Sequence, residues 1–73
     1  MINIQDIIPF MKKGWVAMDE NGDWYWYYEK PMFLPMNRSW KTISSSTCKI
    51  NTDCFDIAPA DDWTKSLIKV GGK

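Results

Sequence analysis

The sequence predicts a small α+β domain: a short N-terminal helix on an antiparallel sheet of three or four strands, built around a hairpin at residues 15–29. Three observations predict it. The chain has 73 residues, enough for one domain only. Ile4, Ile7, Ile8 and Met11 fall at i, i+3, i+4 and i+7, the apolar stripe of an amphipathic helix. Asn21-Gly22 separates two strand-like runs in "GWVAMDENGDWYWYYEK".

The helix can start at Asn3 or Asp6, both good N-caps, and Lys12 and Lys13 suit its negative end. Gly14 is placed to end it in the left-handed conformation. Pro9 fits the first turn if Asp6 is the cap and otherwise kinks the helix. In the hairpin, Asn21-Gly22 predicts a two-residue type I′ turn, which pairs Met18 with Tyr25, Ala17 with Trp26, Val16 with Tyr27 and Trp15 with Tyr28. Opposed residues share a face. One face then carries Val16, Met18, Tyr25 and Tyr27, and the other Trp15, Ala17, Trp24, Trp26 and Tyr28. Both are apolar, and one helix covers only one.

Pro31 and Pro35 bound "PMFLPM" as an irregular or edge segment. Residues 37–49 carry Arg38, Lys41 and Lys49, five Ser/Thr hydroxyls besides Ser39, and no acid. "CFDIAP", residues 54–59, alternates as a third strand does. "ADDWTKSLIKV" reads either as a helix capped by Asp61, with Trp63, Leu67 and Val70 on one stripe, or as a turn before a terminal strand, Leu67 to Val70. Periodicity does not separate the two. Residues 71–73 are expected to fray from a domain spanning 1–73.

Nine basic and nine acidic residues give zero net charge, which argues against general nucleic-acid binding. No apolar run is long enough to span a membrane, and the N-terminal lysines follow the apolar stretch, the wrong order for a signal peptide. A cytoplasmic protein is expected. Histidine is absent, so a Cys/His zinc site is impossible and the commonest general base is missing. Cys48 and Cys54 cannot fill a tetrahedral site alone, and a reducing cytosol favours thiols over a disulfide. No enzyme, metal or cofactor is expected.

The second aromatic face either packs under the C-terminal segment or meets something else. Aromatic residues make up 15 % of the chain, and Trp and Tyr are enriched where an apolar body and a polar tip are both used. Trp15, Trp24, Trp26 and Trp40 are candidate stacking surfaces for a flat ligand. Arg38, Lys41, Ser44, Ser45, Ser46 and Thr47 are candidate phosphate contacts. Tyr28 and Trp63 are candidate interface residues, since a self-complementary homo-oligomer would cover the face.

"FMKKGW", residues 10–15, and "PADDWTKSLIKV", residues 59–70 with Ala60-Asp61-Asp62-Trp63 as their centre, resemble the two ends of small phage proteins of the Thoeris anti-defence sponge type. Such proteins open with a short helix ending "KxG" that leads into a tryptophan-bearing strand. They close with an acidic element before an apolar strand. The resemblance implies a small α+β homo-oligomer that sequesters a cyclic nucleotide or cyclic ADP-ribose-type immune signal, uncleaved, in the host bacterial cytoplasm. The alternative is a protein-protein inhibitor or adaptor that blocks a host protein with its aromatic face.

Overall fold

Asn3 is the residue that starts the helix: its Oδ1 accepts the Gln5 N–H at 2.9 Å. With the start fixed there, Pro9 falls beyond the first turn. Helix α1 spans Ile4–Ile7 and tightens into a 3-10 turn, Ile8–Phe10, around the proline. The computed structural model describes residues 1–42, 47–50 and 55–71. Six strands follow: β1 Gly14–Met18, β2 Trp24–Tyr27, β3 Met32–Leu34, β4 Ser39–Lys41, β5 Thr47–Lys49 and β6 Ile68–Val70. Four form an antiparallel sheet in the order β5-β2-β1-β6, and β3 and β4 pair as a second sheet. The α+β expectation holds.

The hairpin register does not. Met18 pairs with Trp24, Ala17 with Tyr25, Val16 with Trp26 and Trp15 with Tyr27, one residue away from the expected pairing. The turn explains the slip. Gly22 N–H donates to Asp19 O at 2.9 Å, Asp19 N–H donates to Asp23 O at 3.0 Å, and Gly22 alone in the loop has positive φ, +92°. This is a three-residue loop, a type I turn closed by a left-handed glycine. Asn21 serves it through its side chain, whose Oδ1 accepts the Asp23 N–H at 3.0 Å.

A one-residue slip moves the partner strand's side chains to the opposite face. Trp24 and Trp26 therefore join Val16 and Met18, while Tyr25 and Tyr27 join Trp15 and Ala17. The first face packs on Ile4, Ile57 and Val70, with Ile2, Ile7, Ile8 and Met11 around them. On the second, Ala17, Tyr27 and Trp40 form a smaller cluster flanked by Trp15, Tyr25, Trp63 and Leu67. The second aromatic face is thus covered largely from within the chain, by the β3–β4 sheet and the C-terminal segment.

Two further expectations are corrected, and the open readings of two other segments are resolved. Gly14 opens β1 and does not end the helix; its φ is not positive, and a Cβ there would press on the Tyr27 carbonyl oxygen and the Trp26 ring. The strand expected at 54–59 is absent among the described residues. Phe55 and Ile57 make single bridges, and Ile57 pairs in parallel with Ile2. Hydrogen bonds from Ile2 N–H to Asp56 O and from Ala58 N–H to Ile2 O, both 2.8 Å, tie this segment to the N-terminus, and its edge of the sheet goes to β5. In the C-terminal segment the turn-then-strand alternative is the one formed. Asp62 caps a 3-10 turn, Trp63–Lys65, and β6 follows. "PMFLPM" supplies β3, with Pro35 opening the 3-10 turn Pro35–Asn37.

Asp19 joins the two sheets. Its carboxylate accepts the Trp40 N–H at 2.9 Å, and Arg38 O accepts the Glu20 N–H at 3.2 Å. Burial pushes the Asp19 carboxyl above its ordinary value; the Trp40 hydrogen bond and Lys41 pull it down, and Asp23 adds to the rise. For a carboxyl raised by folding, the stabilising contribution is fully present below the unfolded pKa and is lost as pH rises through the folded one. Asp19→Asn keeps an acceptor for Trp40 and removes the charge. It should raise the melting temperature at neutral pH, and the advantage should vanish below the ordinary carboxylate range. Asp19→Ala strands the Trp40 N–H and should cost about 1–3 kcal/mol. Thermal melts of both variants across pH check the pair.

Candidate functional site

The sequence-predicted residues scatter. Trp24 is 1 % exposed, and its indole N–H donates to Ala58 O at 3.1 Å, so its ring meets only protein. Trp40 is also buried: its indole donates to Trp63 O and its own carbonyl accepts the Tyr27 hydroxyl, both at 3.1 Å. Burial, with Asp19 and Tyr25 adding to it, pushes the Tyr27 phenol pKa up, so that hydroxyl stays a donor. Trp63 is half-buried and bridges the two clusters, with Phe33 5.3 Å away, ring centre to ring centre. Trp15 is half-buried beneath two lysines, and Tyr28 is exposed.

The cationic stretch loses its acid-free character in the fold. Arg38, left-handed at φ +54°, lies 3.4 Å from the Glu20 carboxylate, and Lys49 lies 3.4 Å from Asp23. The hairpin loop delivers carboxylates that lie far away in sequence. Lys41, Trp40 and Thr47 do converge, with Tyr25, Tyr27 and Thr42, on a pocket of about 170 Å³. That is below the roughly 300–1,000 Å³ of small-molecule sites. Ser44, Ser45 and Ser46 lie outside the described residues, as does Cys54.

Two of the larger concavities differ in charge. A cleft of about 460 Å³ has Met18, Ile57 and Trp63 in its walls and the carboxylates of Glu20, Asp56 and Asp61 on its rim. Such a rim repels anions. The other is a groove of about 660 Å³ on the helix side of the sheet, lined by Met11, Lys12, Trp26, Tyr28, Cys48, Lys49 and Ile50. Its aromatic wall is Trp26 and Tyr28, with ring centres 6.5 Å apart and planes inclined at 53°.

Local structure builds this groove. The Trp26 indole N–H donates to Lys12 O at 3.0 Å, which fixes the ring against the segment leaving the helix. Gly14 lets that ring lie flat on the backbone, since a Cβ would stand 2.8 Å from Trp26 Cζ2. Strand β5 pairs Cys48 with Trp26, bringing a free, exposed thiol and, next to it, Ile50 to the far wall. The aromatic run pointed to Trp26 and Tyr28. Met11, Lys12, Cys48 and Ile50 were invisible as site residues because no local pattern joins them; the β2–β5 pairing and the helix exit do.

The groove offers apolar stacking surface with two ammonium groups at its margin. Among the described residues, no three His, Cys, Asp or Glu side chains come together as metal ligands. No helix of the structure is long and apolar enough to cross a membrane. Comparison of the chain with protein-family models, with characterised proteins and with solved structures finds no match.

Proposed function

We propose that the protein is a binding protein that captures a flat, anionic ligand of the nucleotide class in the Trp26–Tyr28 groove and holds it without chemical change. The observation that carries this reading is an apolar, aromatic-walled groove of about 660 Å³ with Lys12 and Lys49 beside it. A base stacks on the rings, at about 1–3 kcal/mol each, and phosphate is paired by ammonium groups. Lys12 forms no ion pair among the described residues, whereas Lys49 shares its charge with Asp23. Stoichiometric capture of a cyclic nucleotide or cyclic ADP-ribose-type signal in a host bacterial cytoplasm fits both this groove and the resemblance of the chain ends to anti-defence sponges. In such a role the ligand's free concentration falls because it is held.

A thermal-shift panel of cyclic dinucleotides, cyclic ADP-ribose, ADP-ribose and NAD tests it. A ligand at 100-fold excess over Kd adds about 2.7 kcal/mol, on the order of 10 °C for a domain of this size. Tyr28 is 62 % exposed, so Tyr28→Ala should leave the unliganded melting temperature unchanged while weakening binding about 5- to 100-fold. A panel without a shift contradicts the reading. A second reading, docking on a protein, draws on Met32, Phe33 and Met36, exposed at 55, 41 and 96 % on the β3–β4 sheet and its turn. It predicts that Met36→Lys abolishes association with the partner and leaves every nucleotide titration unaltered.

A further inference from the structure

The nine basic and nine acidic side chains cancel in sum but not in space. Asp19, Glu20 and Asp23 occupy the turn end of the β1–β2 hairpin, and Asp56 and Asp61 share the adjoining cleft with Glu20. Arg38 and Lys49 are both engaged by these turn carboxylates. At the opposite end, where β1 begins and β2 finishes, four lysines gather. Lys12 lines the groove beside Trp26, and Lys13 lies against Gly71. The Lys30 and Lys69 ammonium groups stand 5.6 and 5.9 Å from the centre of the Trp15 ring. None of the four forms an ion pair among the described residues. Glu29, next to Tyr28 in sequence, is an acidic residue of this end.

Lysine and aromatic side chains therefore alternate around one end of the sheet. Trp15 pairs with Tyr27 and Val16 with Trp26, so Trp15 and Trp26 occupy neighbouring rungs of the ladder on opposite faces. Each ring has ammonium groups beside it. Lys13 directly precedes β1, is exposed, and lies against Gly71. Zero net charge removes long-range steering, yet contacts within a Debye length of about 8 Å depend on the local charge alone. Ring faces spaced by cations are the recognition chemistry of single-stranded nucleic acid: bases stack without regard to sequence, and ammonium groups follow the phosphates.

We propose that this end of the sheet binds a single-stranded oligonucleotide, one base against Trp26 and Tyr28, another against Trp15, with phosphates on Lys12, Lys13, Lys30 and Lys69. The proposal rests on the capture reading and narrows its ligand from one nucleotide to several joined by phosphodiesters. Lys30 and Lys69 swing on their flexible stems from the Trp15 ring to the phosphates as the base arrives.

The test is tryptophan-fluorescence titration of the intact protein with mono-, di-, tetra- and octathymidylate. Affinity should rise at least about tenfold from the mono- to the octanucleotide, through added stacking and phosphate contacts. With about three phosphates paired, the octanucleotide should bind about 18-fold more weakly at 200 mM than at 50 mM salt. Lys30→Gln with Lys69→Gln should lower octanucleotide affinity about tenfold and leave mononucleotide affinity unchanged; both side chains are exposed, so the melting temperature should stay constant. Equal affinity for all lengths, or an octanucleotide affinity indifferent to the lysine pair, overturns the oligonucleotide proposal and leaves single-nucleotide capture standing. Failure of every thymidylate, with a shift from a cyclic nucleotide or ADP-ribose, also overturns it alone. No response to any of these ligands overturns both.

Discussion

Trp24→Ala is expected to unfold the domain or to remove about 3–5 kcal/mol of its stability. Trp24 is among the largest fully buried side chains, and it packs in the cluster of Ile4, Val16, Met18, Ile57 and Val70. Truncation empties the centre of that cluster and leaves the Ala58 carbonyl without its indole donor. For a chain of this length the total stability is only about 4–11 kcal/mol. One such cavity therefore consumes about a quarter of it or more. Trp24→Phe keeps most of the apolar area, loses the hydrogen bond, and should cost about 1–2 kcal/mol. Urea denaturation midpoints measure both. A Trp24→Ala variant within about 1 kcal/mol of the parent would place this ring at the surface and reject the observed register.

The second large effect is expected where a side chain is added. At Gly14 a Cβ would stand 2.8 and 2.9 Å from two atoms of the Trp26 ring and closer still to the Tyr27 carbonyl oxygen. Strand β1 cannot withdraw, because Gly14 faces Val70 on one side while its neighbour Trp15 is paired on both. Trp26 cannot turn away without breaking its bond to Lys12 O. Overpacking typically costs about 1–3 kcal/mol, and the backbone oxygen places Gly14→Ala at the upper end. The melting temperature should drop by about 12–24 °C, and the proposed nucleotide capture should weaken with it because the groove wall is displaced. A variant as stable as the parent would mean that Trp26 does not lie on this glycine.

Elements carried by local chemistry could be read in the sequence. The apolar stripe and the Asn3 cap gave the helix, and the runs flanking Asn21-Gly22 gave the hairpin. The fold class followed from them. The register could not be read there, because "DENGD" supports two turns. A type I′ turn needs positive φ at Asn21, whereas the observed loop needs it only at Gly22 and satisfies Asn21 through its side chain. What decides between them is tertiary. The longer loop puts Trp24 within reach of Ala58 O, Tyr27 within reach of Trp40 O, and the Asp19 carboxylate under Trp40 N–H. Each partner lies at least 13 residues away in sequence, beyond any periodicity.

The same distinction governs the site. Residue type marked the tryptophans as stacking surfaces, but type does not say which rings the core consumes. Trp24 and Trp40 are buried in the core, whereas Trp26 is partly buried against the core's edge and also lines the groove. The run at 37–49 is acid-free in sequence but not in space, since Glu20 and Asp23 reach it across the hairpin loop. Net charge says nothing of how the charges are distributed. A total of zero concealed a lysine-rich end beside Trp15 and Trp26 and an acidic one at the turn.

In the proposed capture role, the exposed part of Trp26 meets a ligand, while Trp24 and Trp40 serve only the core. The five indole N–H groups report on it one by one in a ¹⁵N-correlated spectrum recorded during titration with octathymidylate and with a cyclic dinucleotide. The expected result is a saturable shift of the Trp26 indole, joined by Trp15 with the oligonucleotide, while the Trp24 and Trp40 signals stay in place. Shifts centred on Trp24 or Trp40, or a Trp26 signal that ignores every ligand that binds, would contradict it.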